Sequence, residues 1–235
     1  MIKTVLFDLD GTLIPFDQEE FIKAYFYNLA KKFVPMGYDK DLLIKSLWAG
    51  TGSMYKNDGK ATNQDVFKDI FSKSMQKDYN EMEESFLDFY ENEFDNVKST
   101  LQKQVDRSEF IKTLKDKGVK VVLATNPIFP KVAVQTRLKW IGLSLDDFDY
   151  VTTFENSHYC KPNLDYYREI FENINSNPGE AIMVGNNALE DMVSGKLGVK
   201  TYLITDNLEN PENIDITQFE NGDFDFIARK VLEEV

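Results

Sequence analysis

Five short apolar runs punctuate the chain, at Lys3–Phe7, Val119–Ala124, Tyr150–Thr153, Ala181–Val184 and Lys200–Ile204. They are apolar at consecutive positions rather than alternate ones, the pattern of strands buried on both faces. After residue 100 they alternate with helical periodicity at Ser108–Lys117, Pro130–Ile141, Leu164–Ile174 and Leu189–Leu197. Strand–helix alternation of this kind predicts an α/β fold with a doubly wound parallel sheet covered on both sides. Gly118, Gly142 and Gly198 each follow a helical stretch, where a left-handed residue closes a helix.

Residues 17–96 break the rhythm and contain no strand pattern. Four helices are expected there, at Gln18–Val34, Lys40–Trp48, Asn63–Met75 and Tyr79–Phe94. Phe21, Tyr25, Leu29 and Phe33 step at about four residues and make one apolar stripe. Phe86, Phe89, Tyr90 and Phe94 do the same in the last helix. The pattern divides the chain into an α/β core, 1–16 with 97–235, and an inserted helical bundle, 17–96. Gly50–Gly59 and Asn207–Asn213 read as the substantial loops. Ligands of open α/β sheets bind at the carboxyl ends of strands. An insert leaving the end of the first strand is therefore expected to hang over that crevice as a cap.

Composition narrows the partners. The 235 residues are 42% apolar and 13% aromatic, ordinary for a folded domain. The formal charge of −13 argues against nucleic acid or an anionic membrane as a partner. No apolar run approaches the ~18 residues of a membrane helix, and the amino-terminal run meets two aspartates within a few residues, unlike a signal peptide. A cytoplasmic location is expected. A single cysteine, Cys160, leaves no internal disulfide. The same charge sets a problem for an anionic substrate, which would need a bound cation or a local lysine to reverse the sign of the site.

Four stretches carry residues suited to chemistry. Asp8 and Asp10 end the first strand two positions apart, so their carboxylates share a side, and Gly11 allows a sharp turn after them. Two carboxylates that close need a proton or a metal between them. A calcium loop around D-x-D-G would need an acid where Leu6 stands. Thr125 and Asn126 follow the second strand and could meet an anion. Lys161 precedes Pro162 in a strand-to-helix loop on the crevice side, and Asn163 can cap the helix that follows. A Cys160 nucleophile with His158 as its base is geometrically poor, and zinc lacks a second histidine. Finally, Asn187 and Asp191 stand four apart at an expected helix start and can face one point.

In order and strand context, DLDGT at 8–12, Thr125-Asn126, Lys161-Pro162 and Gly185 through Asp191 resemble the haloacid dehalogenase superfamily of aspartate-based phosphohydrolases. The resemblance spans essentially the whole chain and implies a Rossmann-like core with a helical cap. It implies that Asp8 is the nucleophile and that Asp10 is the acid and base, with Lys161 offsetting charge. It implies that Gly11, Thr125, Asn126 and Lys161 surround the phosphoryl group. It also implies that Mg²⁺ sits among Asp8, the Asp10 backbone carbonyl, Asn187 and Asp191, and that the substrate is a small phosphorylated metabolite. Dehalogenases of the superfamily lack the second aspartate, so Asp10 favours phosphoryl chemistry.

The sequence departs from the family at Asn187. Most relatives carry an aspartate four residues before Asp191. An amide oxygen binds Mg²⁺ as a dipole only, so weaker metal affinity is expected, with Glu190 as a possible compensating acid. Phosphomutase-type transfer and a catalytically weakened binding protein are the alternatives. Phe16, Trp48 and the 50–59 loop are the expected specificity positions.

Overall fold

The computed structural model describes all residues, 1–235. Six strands form one parallel sheet: β1 (Thr4–Phe7), β2 (Lys120–Leu123), β3 (Tyr150–Val151), β4 (Ala181–Gly185), β5 (Lys200–Ile204) and β6 (Glu220–Gly222). Their order is β3-β2-β1-β4-β5-β6, with β1 at the centre between β2 and β4. The consecutive apolar residues divide between the two faces. Val5, Phe7, Val121, Leu123, Ile182 and Val184 enter one buried cluster, while Leu6, Val122, Ala124, Ala181 and Met183 enter the other. Both faces are thus dry, which explains why no polar alternation interrupts the strands.

Helices α1 (Gln18–Phe33), α2 (Lys40–Met54), α3 (Asn63–Met75) and α4 (Glu83–Asp88) make the insert. Helices α5 (Ser108–Asp116), α6 (Lys131–Lys139), α7 (Leu164–Asn173) and α8 (Phe224–Glu234) flank the sheet. α5, α6 and α8 contribute to the larger cluster, and α7 packs Tyr166, Tyr167, Ile170 and Phe171 on the opposite face. Asp17, Asp39, Thr62 and Asn163 cap α1, α2, α3 and α7 through side-chain oxygens. Gly118, Gly142 and Gly198 are left-handed, as their positions predict.

Several expectations need correction. α2 runs on to Met54, through half of the segment read as a 50–59 loop, because Gly50 packs its bare α-carbon against the Phe67 ring where a β-carbon would not fit. The stretch 79–94 is not one helix. It is a 3₁₀ turn at Tyr79–Glu81, then α4, then a π turn at Phe89–Glu93 and a 3₁₀ segment at Phe94–Thr100. Aromatic packing overrides the simple period there: Tyr79, Phe86, Phe89, Tyr90 and Phe94 are all buried. The helix expected at Leu189–Leu197 is a 3₁₀ segment, Met192–Leu197, preceded by tight turns. β6 and α8 lie beyond the elements that the apolar pattern predicts. α8 docks partly through the Arg107 guanidinium, 3.4 Å from the Phe224 ring centroid.

The insert and the sheet share one apolar cluster of 44 buried residues. Phe94 links them, with its ring 6.2 Å from Phe21 and 5.6 Å from Trp140. Trp140 Nε1 then donates to Asp95 at 2.6 Å. This shared packing holds the helices over the carboxyl rim of the sheet. No helix is long and apolar enough to cross a membrane.

Candidate active site

Parallel register brings three chain segments to one rim. Phe7 pairs with Leu123 on one side and Val184 on the other, so Asp8, Ala124 and Gly185 are the next residues along. Asp8 N donates to Val184 O at 2.9 Å, and Ala124 N donates to Phe7 O at 2.7 Å. Thr125 and Asn186 follow immediately.

At this rim Lys161 Nζ donates to Asp8 Oδ1 at 2.8 Å and to Asp191 Oδ1 at 2.5 Å. Lys161 and Asp191 are each 1% exposed and Asp8 is 8% exposed. Burial alone would lower the lysine pKa, but the Asp191 and Asp8 charges outweigh it and hold the ammonium well above its ordinary value. The Lys161–Pro162 peptide is cis. Asn163 caps α7, and α7 in turn fastens two loops of the rim. Its Tyr166 hydroxyl donates to Thr125 O at 2.9 Å, and its Tyr167 hydroxyl donates to Glu190 O at 2.8 Å.

Asp10 turns to a different cation. Arg137, from α6, has a fully buried side chain and pairs with Asp10 Oδ2 through Nη1. Its guanidinium lies 4.4 Å from the Phe129 ring centroid. Burial raises the Asp10 pKa, Arg137 opposes that rise, and the Asp8 charge adds to it. Asp10 Oδ1 and Arg137 Nη2 are buried without hydrogen-bond partners. Nothing in the local pattern of KVAVQTRLKW marks Arg137, since an arginine on a flanking helix ordinarily faces water.

The opening residues of the last motif are structural ties. Asn186 Oδ1 accepts from the Thr12 hydroxyl at 3.0 Å, and its Nδ2 donates to Asn207 O at 2.7 Å. Gly11 is left-handed with φ +80°, and a β-carbon there would meet Asn186 Nδ2 at 2.3 Å. Gly185 has the same relation to Asp191, whose carboxylate would stand 2.1 Å from an added β-carbon. These two glycines let the loops close on each other, and Gly11 serves the fold in this way.

The Asn187 side chain is tied into the turn that follows β4. Its Oδ1 accepts from Leu189 N at 3.0 Å and Glu190 N at 2.8 Å, capping the turn. Its Nδ2 donates to Glu209 Oε2 at 3.0 Å, and its backbone N donates to Asp191 Oδ2 at 2.9 Å. Glu190 and Asp191 both lie in turns and not in a helix. Both line one cavity, together with Asp8, Asp10 and Glu209. Burial pushes the Glu190 carboxyl up to about 7 and also raises Asp191 and Glu209. Asn126 Nδ2 donates to Glu190 Oε2 and to the Tyr55 hydroxyl, both at 3.1 Å.

Thr125 and Asn126 line that cavity. Lys161 sits beneath the carboxylates and reaches Asp8, not the open space. Trp48 stands at the mouth, half-exposed, and Thr51 and Tyr55 line the wall. Phe16 does not take part. It is 1% exposed and stacks on Phe21 at 4.6 Å in the core, so its expected specificity role is overturned by packing. Cys160 is buried and its thiol is pushed up by burial, the reverse of what a nucleophile needs.

Five carboxylates therefore meet two cations at this rim. No three acidic, histidine or cysteine side chains stand at metal-binding spacing. The donors are nonetheless oxygens throughout, and Asp10 Oδ1 lacks any partner. Such a set suits a hard divalent cation in its chemistry, with one carboxylate fewer than the family pattern.

Arg137→Leu leaves Asp10 beside Asp8 with no counter-charge. The expected loss of stability is about 3 kcal/mol, read from urea denaturation, with Arg137→Lys restoring part of it. A loss within ~0.5 kcal/mol of zero would show that the pair contributes nothing net.

Residues 2–198 match the haloacid dehalogenase-like hydrolase family. Pyrophosphatase PpaX of Bacillus cereus (strain G9842) is 28% identical over 206 residues, covering 87% of this chain and 83% of the relative. PpaX of Bacillus pumilus is 28% identical over 212 residues, covering 90% and 87%. Among solved structures, a HAD phosphatase from Thermococcus onnurineus aligns over 98% of both chains with a TM-score of 0.59 at 24% identity. The magnesium-bound HAD-hydrolase YfnB of Bacillus subtilis aligns over 99% of both with a TM-score of 0.57 at 19% identity. At those identities the structures speak for the fold alone. The chain belongs to the haloacid dehalogenase-like hydrolase family.

Proposed function

We propose that the protein is a divalent-cation-dependent hydrolase of small phosphomonoesters, working through an aspartyl-phosphate. The observation that carries this reading is the buried Lys161 ammonium bound to both Asp8 and Asp191, with Asp10 beside them at the floor of one cavity. Asp8 is the nucleophile. A carboxylate oxygen attacks phosphorus, the P–O bond to the alcohol breaks, and an acyl phosphate forms. Asp10 gives its proton to the departing alkoxide, and later takes one from the water that cleaves the acyl phosphate. Its raised pKa suits the first task, and Arg137 holds its carboxyl in place. Thr125 and Asn126 border the space the phosphoryl oxygens would fill. Lys161 sets its positive charge against the Asp8 and Asp191 carboxylates.

Asp8, the Asp10 carbonyl and Asp191 would hold Mg²⁺, with residue 187 at the edge of the set. A bound divalent ion supplies positive charge against the phosphoryl oxygens and lessens their repulsion from Asp8. Segment 17–96 serves as the cap that closes the cavity from above and sheds water from the reacting groups.

Two measurements test the reading. Asp8→Asn is expected to lower phosphate release from p-nitrophenyl phosphate by at least ~10³-fold, and EDTA to abolish it in the wild type. Turnover that survives both would contradict the mechanism, and an isomerised sugar phosphate without free phosphate would indicate a mutase. Asn187→Asp adds a charge beside the cation and is expected to lower the Mg²⁺ concentration for half-maximal rate by about threefold to tenfold. It also removes the donor to Glu209, so the EDTA-treated variant should melt below the wild type. An unchanged Mg²⁺ requirement would place residue 187 outside the metal's reach.

A further inference from the structure

We propose that the substrate's alcohol is uncharged and carries an aromatic ring. This rests on the phosphomonoester reading above and names the class of ester the cavity accepts.

The cavity above Asp8 has a volume of about 330 Å³ and is lined by 26 residues, 14 of them hydrophobic. Its two ends differ in kind. Every ionisable carboxylate in the lining belongs to the sheet rim, and no lysine, arginine or histidine lines the cavity at all. Lys161 and Arg137 lie behind the surface, committed to Asp8, Asp191 and Asp10. The end made by the helices is a wall of rings, including Phe21, Tyr25, Phe26, Trp48 and Tyr90. The hydroxyls of Tyr25 and Tyr90 bind each other at 2.7 Å, which leaves Gln18, Thr51, Tyr55 and Tyr79 as the insert's other polar side chains in the lining, all of them uncharged.

An anionic alcohol is poorly served there. A carboxylate or second phosphate beyond the ester oxygen would lose its water and find no counter-charge, with Glu190 and Glu209 nearby. A very small alcohol would leave the ring-lined space unfilled, forfeiting apolar burial. A cationic head would be attracted by the ring faces, yet no carboxylate stands at the helical end to pair with it, because the acids all gather around the phosphoryl position. A ring fits what is present. Phe26 and Trp48 are tilted at 50° with centroids 5.3 Å apart, and Phe21 and Tyr25 are parallel at 6.4 Å. An inserted ring can meet such neighbours edge-on or offset, the favoured arrangements.

The relatives named as pyrophosphatases act, by that name, on a substrate whose leaving group is itself phosphate. The lining described here is unsuited to that group.

The test compares kcat/KM for benzyl phosphate, glycerol 3-phosphate, choline phosphate, 2-phosphoglycolate and pyrophosphate, with Mg²⁺ present. Benzyl phosphate is chosen because its leaving group is an ordinary alcohol rather than an activated phenol, so preference reports recognition. Benzyl phosphate is expected to exceed each of the others by about 30-fold or more. Trp48→Ala, at the half-exposed mouth, is expected to reduce the benzyl-to-glycerol ratio by about fivefold. Equal or faster turnover of any of the other four substrates would overturn the inference and leave the phosphatase reading standing. Phosphate release from none of them would overturn both.

Discussion

One lysine, out of water and bonded to two carboxylates from the loops that follow separate strands, organises this protein. Removing an ammonium and two carboxylates from water costs several kcal/mol per ion, repaid only when the geometry is close and the remaining polar atoms are bonded. The rim meets that demand. Lys161 binds Asp8 and Asp191, the Asn187 backbone N–H binds the second Asp191 oxygen, and glycines at 11 and 185 let the loops approach closely enough. Remove the lysine, and the two acids it joins repel each other.

The central strand explains how the acids come together. β1 is flanked on both sides by in-register parallel neighbours, so whatever follows each strand lands at the same rim. The helical insert then roofs that rim without a core of its own, since its aromatic residues join those under the sheet in one cluster. The same packing that stabilises the fold therefore shapes the upper wall of the cavity. Its apolar character is a consequence of where the insert buries its rings.

Much of this was legible in the residues. Strands dry on both faces announce themselves as unbroken apolar runs, the paired acids at 8 and 10 and the hydroxyl at 125 follow such runs directly, and the ammonium at 161 lies in the loop between the third run and the next helix. Other features were hidden for physical reasons. Arg137 looks like a solvated helix residue, and only the fold shows that it is buried against Asp10. β6 is Glu-Asn-Gly, joined to β5 by backbone alone, with no apolar signal to read. Asn187 keeps the family's spacing, yet its oxygen is taken up by turn amides, a competition that spacing does not reveal. Glu209 arrives from a loop that reads as a plain connector and pairs with residue 187 across it.

The central claim is that Asp8, poised by Lys161, attacks phosphorus and becomes covalently phosphorylated. Rapid acid quenching during turnover of a phosphomonoester, followed by peptide mapping by mass spectrometry, tests it directly. The account predicts a phosphoryl group on the peptide containing Asp8, on that side chain alone. A phosphoryl group on another residue, or steady phosphate release with no labelled peptide under conditions that preserve acyl phosphates, would contradict it.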